Sequence, residues 1–193
     1  MSSLIVVKVG GSLYDLPDLG ARLHGFLHEQ CAGASVILVP GGGPTVDAVR
    51  RLDRLHALGE ETSHWLALHA LTLNAHFLAA LLPSARIVGA VDEGNRSELA
   101  ILDVHAFARA DENRPGHLPH RWAVTSDAFA ARAAIVFDAD ALILLKSTTI
   151  PPGVDWREAG RCGWVDEWFA EVLGEAETKL QVRAVNLRQS LQQ

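Results

Sequence analysis

The sequence predicts an α/β sandwich on a mainly parallel sheet, and three observations carry that expectation. Short apolar runs alternate along the chain with segments of helical period. The runs lack a polar alternation, as strands do when both faces are covered. Three of them end in loops of unusual composition, "KVGGS", "VPGGGP" and "LLKST". A chain of 193 residues with 49% hydrophobic content suits one well-buried domain, so a single domain over residues 1–193 is expected.

Taken in order, Leu4 to Val7 and Val9 form the first strand, with Lys8 placed inside it. Leu16, Leu19, Leu23, Phe26 and Leu27 recur at helical spacing behind Pro17, and "SVILVPGGGP" follows as a second buried strand and its loop. Thr45 to Leu55 and Glu61 to Leu82 read as helices, the second apolar enough to lie against a sheet or a subunit partner, and Pro83 ends it. "ARIVGAV" and "LAILDV" are short strands, and Asp103 can cap a helix over Val104 to Ala110. The polar, proline-broken stretch from Ala108 to Arg121 reads as an exposed loop or flap. Thr125 or Ser126 can cap a helix running to Phe137, "ALILLK" is a buried strand ending in a lysine, and "VRAVNL" is the last strand.

Charge and composition exclude several classes of function. Seventeen basic against twenty-three acidic residues give a net charge of −6, so nothing attracts nucleic acid or anionic lipid in general. No apolar stretch is long enough for a membrane span, and the N-terminus lacks the basic and apolar regions of an export signal. With only Cys31 and Cys162, a reducing cytoplasm is the expected location. Any phosphate site must therefore be built locally.

The three loops are where such a site can lie, because ligands of open α/β sheets gather beyond the carboxyl ends of the strands. Lys8, Gly10, Gly11 and Ser12 could face an anion together, although a tight turn with a snorkelling lysine reads equally well. Gly41, Gly42 and Gly43 are more glycines than a turn needs. Neither cluster has the spacing of a P-loop or of a dinucleotide fingerprint. Lys8 and Lys146 each stand at a strand end, and Asp127 begins a helix. Two ammonium groups that share a polyphosphate repel one another unless a carboxylate lies between them, which Asp127 can supply.

"VKVGGS", "VPGGGP", "TSDAFAARAA", "LLKST" and the closing "VRAVN", in that order, resemble the amino acid kinase family over nearly the whole chain. The resemblance implies a three-layer αβα sandwich, with ATP over the C-terminal part of the sheet and an acceptor over the N-terminal part. By it, Lys8 and Lys146 hold the phosphoryl group in flight, Asp127 orients both, and Gly10, Gly11 and Gly43 donate amides to phosphates. Ser12, Ser147 and Thr148 fall on the nucleotide side; Gly41, Gly42, Gly43 and Arg50 fall on the acceptor side. Mg²⁺ would accompany ATP, and no residue is assigned as a metal ligand. Phosphoryl transfer suits such a set, because positioning and charge stabilisation carry most of that catalysis.

Within the family, "GGGPTVDAVRRLDRLHALGEETSHWLALHAL" and "LPHRWAVTSDAFAARAA" are most similar to the branch that phosphorylates aminomethylfuranylmethyl phosphate to its diphosphate in methanofuran-type cofactor biosynthesis. Thr45 to Ala48 lack the histidine of isopentenyl phosphate kinases and the arginine-glycine pair of uridylate kinases. After Lys146 the family's "VDG" turn is replaced by "STTIPPGVDW", which leaves the purine contacts unassigned. Other acceptors (a carboxylate, a nucleoside monophosphate, an isoprenoid phosphate) and a non-catalytic nucleotide-binding role stay open. Both lysines and the aspartate are present, which argues against the last.

Arg50 follows the triple glycine by two helical turns and suits an acceptor phosphate, but Asp47 and Asp53 at three residues' distance make a surface ion pair an equal reading. His24, His28 and Cys31 share a helix side and could hold a metal or simply border an apolar stripe. His64, His69 and His76 do not converge and read as packing or partner-facing. The five tryptophans read as core and interface packing. The Trp65 to Leu82 helix makes a homodimer the first expectation for assembly.

Overall fold

The computed structural model describes residues 3–89, 98–175 and 180–189. Six strands form one sheet in the order β3-β4-β2-β1-β5-β6, where β1 is Leu4–Val9, β2 Ser35–Pro40, β3 Arg86–Val88, β4 Leu99–Leu102, β5 Ala141–Lys146 and β6 Gln181–Asn186. Every pairing is parallel. The chain leaves β1 towards β2 on one side and returns to place β5 on the other. The C-terminal ends of β1 and β5 therefore flank the point where the winding reverses, the usual crevice for a ligand in such sheets.

Seven helices cover the sheet among the described residues: α1 Leu19–Gln30, α2 Gly43–His56, α3 Glu60–Leu81, α4 Val104–Asp111, α5 Ser126–Val136, α6 Trp156–Arg161 and α7 Glu167–Gly174. Alternate strand residues supply two cores. Leu4, Val6, Ile37, Leu142 and Leu144 pack with α5, Phe107 and Phe169 on one face. Val7, Val9, Leu38, Ile143 and Leu145 pack with Leu19, Leu23, Phe26 and Leu78 on the other. Burying each such side chain contributes about 1.5–3 kcal/mol, which is why these strands carry almost no polar residue. The three-layer sandwich follows from these two cores.

The strands and long helices lie close to where the periodicity predicts them, with differences that have local causes. A short 3₁₀ turn, Gly11–Leu13, precedes α1, so that helix begins after Leu16 and Pro17 rather than with them. "ARIVGAV" is strand only over Arg86–Val88, and its last two residues lie outside the described residues. Asp103 caps α4 as expected, accepting from the amides of His105 and Ala106. The sequence reading assigned nothing between Lys146 and the last strand, where α7 packs against α5 and α6 packs against α7.

The stretch from Ala108 to Arg121 is no free flap. Its longest exposed run is residues 113–117, because Asp111 and Leu118 on either side are buried. Arg132 anchors it, donating through Nε and one Nη to both carboxylate oxygens of Asp111 at 2.7 and 2.9 Å and to the Pro115 carbonyl at 2.8 Å. On α1, His24 and His28 are exposed while Cys31 is buried, so the three do not converge. Among the described residues no group of His, Cys, Asp and Glu could hold a metal ion, and no helix is long and apolar enough to cross a membrane. Leu66, Leu73 and Phe77 of α3 remain exposed along one side of that helix.

Candidate active site

Lys8 sits in β1 on the face covered by α5, at the level of Leu144 in β5. Its partner there is Asp127, in the first turn of α5, whose Oδ1 is 2.9 Å from Lys8 Nζ. The same carboxylate accepts twice from Lys146 at the end of β5, at 2.9 and 2.7 Å. Asp127 thus joins the two ammonium groups that the sequence placed at separate strand ends. Lys8 and Asp127 are each 5% exposed, so neither could carry its charge alone. Burial works to raise the Asp127 carboxyl, but the two lysines outweigh it and hold the group below its ordinary value. Burial and the neighbouring Lys8 charge lower Lys146 to about 8 against the pull of Asp127.

The amino end of α5 is held from a distance. Asp166, before α7, accepts from the Thr125 hydroxyl at 2.6 Å and from the amides of Thr125 and Ala128 at 3.1 and 3.0 Å. Its other oxygen accepts from the Phe169 amide at 2.9 Å and caps α7. Burial and the nearby Asp127 charge raise the Asp166 carboxyl, opposed by these bonds. Asp166 therefore fixes where Asp127 starts its helix. An aspartate ahead of an apolar helical run signals a cap in sequence, but nothing local signals that it reaches another helix.

The two glycine loops pack backbone against backbone. A β-carbon on Gly11 would collide with the amide nitrogen of Gly43 and lie 2.7 Å from its Cα, and one on Gly41 would collide with the Gly11 amide and lie 2.5 Å from the Val9 carbonyl. The glycines are thus required first by the loops' mutual approach. The Gly10 amide donates to the Leu145 carbonyl at 2.9 Å, continuing the sheet. That corrects the expectation of a phosphate contact from this amide, since its hydrogen is already spent. Asn74, buried in α3, donates to the carbonyls of Gly41 and Gly42, both at 2.7 Å, and so fixes the second loop. Tyr14 adds a bond to the Gly41 carbonyl at 3.0 Å.

Two cavities open on either side of the start of α5. The larger, about 340 Å³, is lined by Lys8, Gly10, Gly11, Ser12, Thr125, Asp127, Lys146, Ser147, Thr148 and the segment Gly163 to Asp166. Ser12 and Ser147 bridge its two loops, their hydroxyls 2.8 Å apart. The smaller, about 200 Å³, is lined by Gly42, Gly43, Val46, Arg50, His64, Ala67, Leu68, Leu71, Phe129 and the run from Arg121 to Ser126 except Ala123. Thr125 lines both. Gly41 is in neither lining, being turned towards Gly11, Tyr14 and Asn74.

Arg50 reaches the smaller cavity and also pairs with Asp47 at 3.0 Å. Asp53 takes a different partner, the Trp122 indole N–H at 2.8 Å. Sequence reasoning assigned no role at the site to Asp166, Asn74, Arg121, Trp122 or Trp164, and read His64 and the tryptophans as packing. His64 does pack, its ring stacked on His120 at 4.8 Å between centroids, yet it also lines the smaller cavity. Burial and the adjacent His120 lower it to about 4, against the pull of the Arg121 carbonyl, so it is neutral at physiological pH. Arg121 and Trp122 join His64 at this cavity because the segment that carries them lies against α3, with His120 2.7 Å from Glu61.

The chain is 26% identical over 147 residues to the [5-(aminomethyl)furan-3-yl]methyl phosphate kinase of Methanocaldococcus jannaschii, covering 72% of this chain and 63% of that protein. It thus spans less than two-thirds of that relative's length. In fold it is similar to uridylate kinase from Archaeoglobus fulgidus, with a TM-score of 0.61 at 17% identity, covering 96% of this chain and 92% of the other. It is also similar to UMP kinase from Bacillus anthracis, with a TM-score of 0.64 at 13% identity over 97% and 88% of the two chains. The family model described as the amino acid kinase family matches residues 3–149, and on that match over most of its length this chain belongs to the amino acid kinase family.

Proposed function

We propose that the protein is an ATP-dependent small-molecule kinase whose acceptor is itself a phosphate ester, with aminomethylfuranylmethyl phosphate as the favoured substrate in methanofuran-type cofactor biosynthesis. The observation that carries this reading is the meeting of two cavities at Thr125, with Lys8, Asp127 and Lys146 at the margin of the larger. A group passing from one cavity to the other crosses the helix N-terminus, with both ammonium groups lining the cavity that it leaves. The acceptor phosphate is supported by Arg50 and Arg121 in the smaller cavity, which has no Asp or Glu in its lining. The furan reading is supported by the Methanocaldococcus jannaschii relative.

In this reading the larger cavity takes ATP, with Gly11, Ser12, Ser147 and Thr148 along the phosphates, and Gly42 and Gly43 border the acceptor. The bond from the γ-phosphorus to its bridging oxygen breaks, an acceptor phosphate oxygen bonds to that phosphorus, and ADP leaves. Lys8 and Lys146 are oriented by Asp127 and aimed where charge gathers on the transferring oxygens, so they stabilise it without reorganising. No base is needed, because a phosphate dianion is its own nucleophile.

Mg²⁺ fits as an ion held mainly by substrate phosphates, since among the described residues no protein cluster surrounds the site and such ions commonly take only one or two carboxylates. Asp127 and Asp166 are the carboxylates lining the larger cavity. When bound, the ion would neutralise phosphate charge. The exposed Leu66, Leu73 and Phe77 side of α3 supports a homodimer, and a cytoplasmic location accords with the cysteine usage. The test is incubation with MgATP and a panel of acceptors: the furan phosphate, UMP, isopentenyl phosphate and a carboxylate. Mass spectrometry should find the furan diphosphate formed fastest; a different preferred acceptor, or ATP bound but never consumed, would overturn the assignment.

A further inference from the structure

We propose that the smaller cavity selects a planar, unsaturated ring carrying an anionic arm, and that Trp122, held in place by Asp53, makes that selection. The anionic arm rests on the kinase reading above; the ring preference rests on the cavity wall. Trp122, His64 and Phe129 give the cavity three flat side chains, and Arg50 and Arg121 give it its charge. The Arg50 guanidinium carbon lies 5.4 Å from the Trp122 ring centroid, so the cation and the flat wall are presented together.

This wall is built and held. Asp53 accepts from Trp122 Nε1 at 2.8 Å and from the Gly59 amide at 3.1 Å, tying the indole to the turn between α2 and α3. The segment that carries Trp122 is fixed again by His120, 2.7 Å from Glu61, and by the Arg132–Asp111 pair. Sequence spacing alone would pair Asp53 with Arg50. Because the indole takes that carboxylate, Arg50 keeps Asp47 as its carboxylate partner beside the Trp122 ring, and its side chain stays 45% exposed. Asp53 thus acts as a positioning residue twice, orienting the ring and leaving the guanidinium available for a ligand.

A flat ring stacked on an indole gains roughly 3- to 10-fold in affinity beyond its buried area, which a saturated ring of the same skeleton does not. A furan and a nucleobase share this chemistry, and the probes must separate them. The experiment is calorimetric titration of the full chain, with ADP and Mg²⁺ present, using furan-3-ylmethyl phosphate, benzyl phosphate, cyclohexylmethyl phosphate and UMP. Benzyl phosphate should bind about 3- to 10-fold more tightly than cyclohexylmethyl phosphate. Trp122→Leu should bring that ratio to about one, while Trp122→Phe keeps most of it. Asp53→Ala should reduce the ratio and Asp53→Asn restore it, because the amide oxygen still accepts from the indole; in turnover Asp53→Ala should raise the acceptor KM rather than lower kcat, and Asp53→Asn should leave that KM near the wild-type value. A ratio of one in the wild type, a ratio that survives Trp122→Leu, or no binding of any aromatic phosphate overturns the proposal. If Trp122→Leu fails to fold, the wild-type ratio and the Asp53 pair decide. UMP binding more tightly than both small aromatic phosphates assigns the ring to a nucleobase and overturns the furan assignment alone. A ring preference without phosphoryl transfer to any acceptor refutes only the kinase reading, and transfer without a ring preference refutes only this one.

Discussion

Replacing Asp127 with asparagine keeps shape and removes the charge between two cations. Lys8 and Lys146 Nζ each lie 2.9 Å from Asp127 Oδ1, so the nitrogens are at most twice that, about 5.8 Å, apart. At an effective dielectric constant of about 20, unit charges so placed repel by about 3 kcal/mol. Asp127 attracts Lys146 from 2.7 Å through both its charge and its hydrogen bonds. Removing that attraction therefore lowers Lys146 by about two pKa units or more. Starting from about 8, it loses its proton below neutrality. One of two transition-state cations is then gone, and kcat/KM for ATP should fall about 100-fold or more. Stability falls as well, because Lys8, 5% exposed, is left buried without its carboxylate partner, a loss of about 3–5 kcal/mol. Calorimetric melting and steady-state turnover measure the two effects side by side. Normal specific activity with a large stability loss would make Asp127 a structural helix residue and would falsify its orienting role.

Further expectations follow from other contacts. Lys146 must be protonated to act and sits at about 8 in the free protein, so kcat/KM for ATP should be level below that pH and fall about tenfold per unit above it; an unchanged rate well above it removes Lys146 from the mechanism. Arg50→Ala should raise the acceptor KM by about 10- to 100-fold and that of ATP far less, whereas equal changes would leave Arg50 as the surface partner of Asp47. Gly11→Ala forces a β-carbon into the Gly43 backbone and should cost at least about 1–3 kcal/mol in urea unfolding, since neither loop has room to give. Asp111→Ala leaves Arg132 buried without its bidentate partner and should cost about 3–5 kcal/mol, a loss that exposed Arg109 beside it should not reproduce.

Strand positions were legible because a parallel sheet buried on both faces writes continuous apolar runs, and Lys8, Asp127 and Lys146 stood out because charge at those positions conflicts with burial. The helices α6 and α7 were missed because they are short, six and eight residues, and follow a proline-rich loop without a long periodic run. Arg50 was seen and its partners were not: helical spacing offered Asp53, and the fold awarded that carboxylate to Trp122, sixty-nine residues away. Asp166 and Asn74 were invisible for the same reason. Each acts through a hydrogen bond between distant segments, and such bonds leave no period in a sequence. The glycines were noticed for a ligand's sake, while their tightest contacts are with each other.

Crystals grown with ADP, Mg²⁺, aluminium fluoride and the furan phosphate would examine the junction of the two cavities at the moment it is meant to act. The adenosine diphosphate should occupy the larger cavity and the furan phosphate the smaller. The planar fluoride between them should lie about 3 Å from both Lys8 and Lys146 Nζ. A fluoride group that touches neither lysine, or a furan phosphate seated in the ADP cavity, would mean that phosphoryl transfer is not what Lys8, Asp127 and Lys146 are assembled to do.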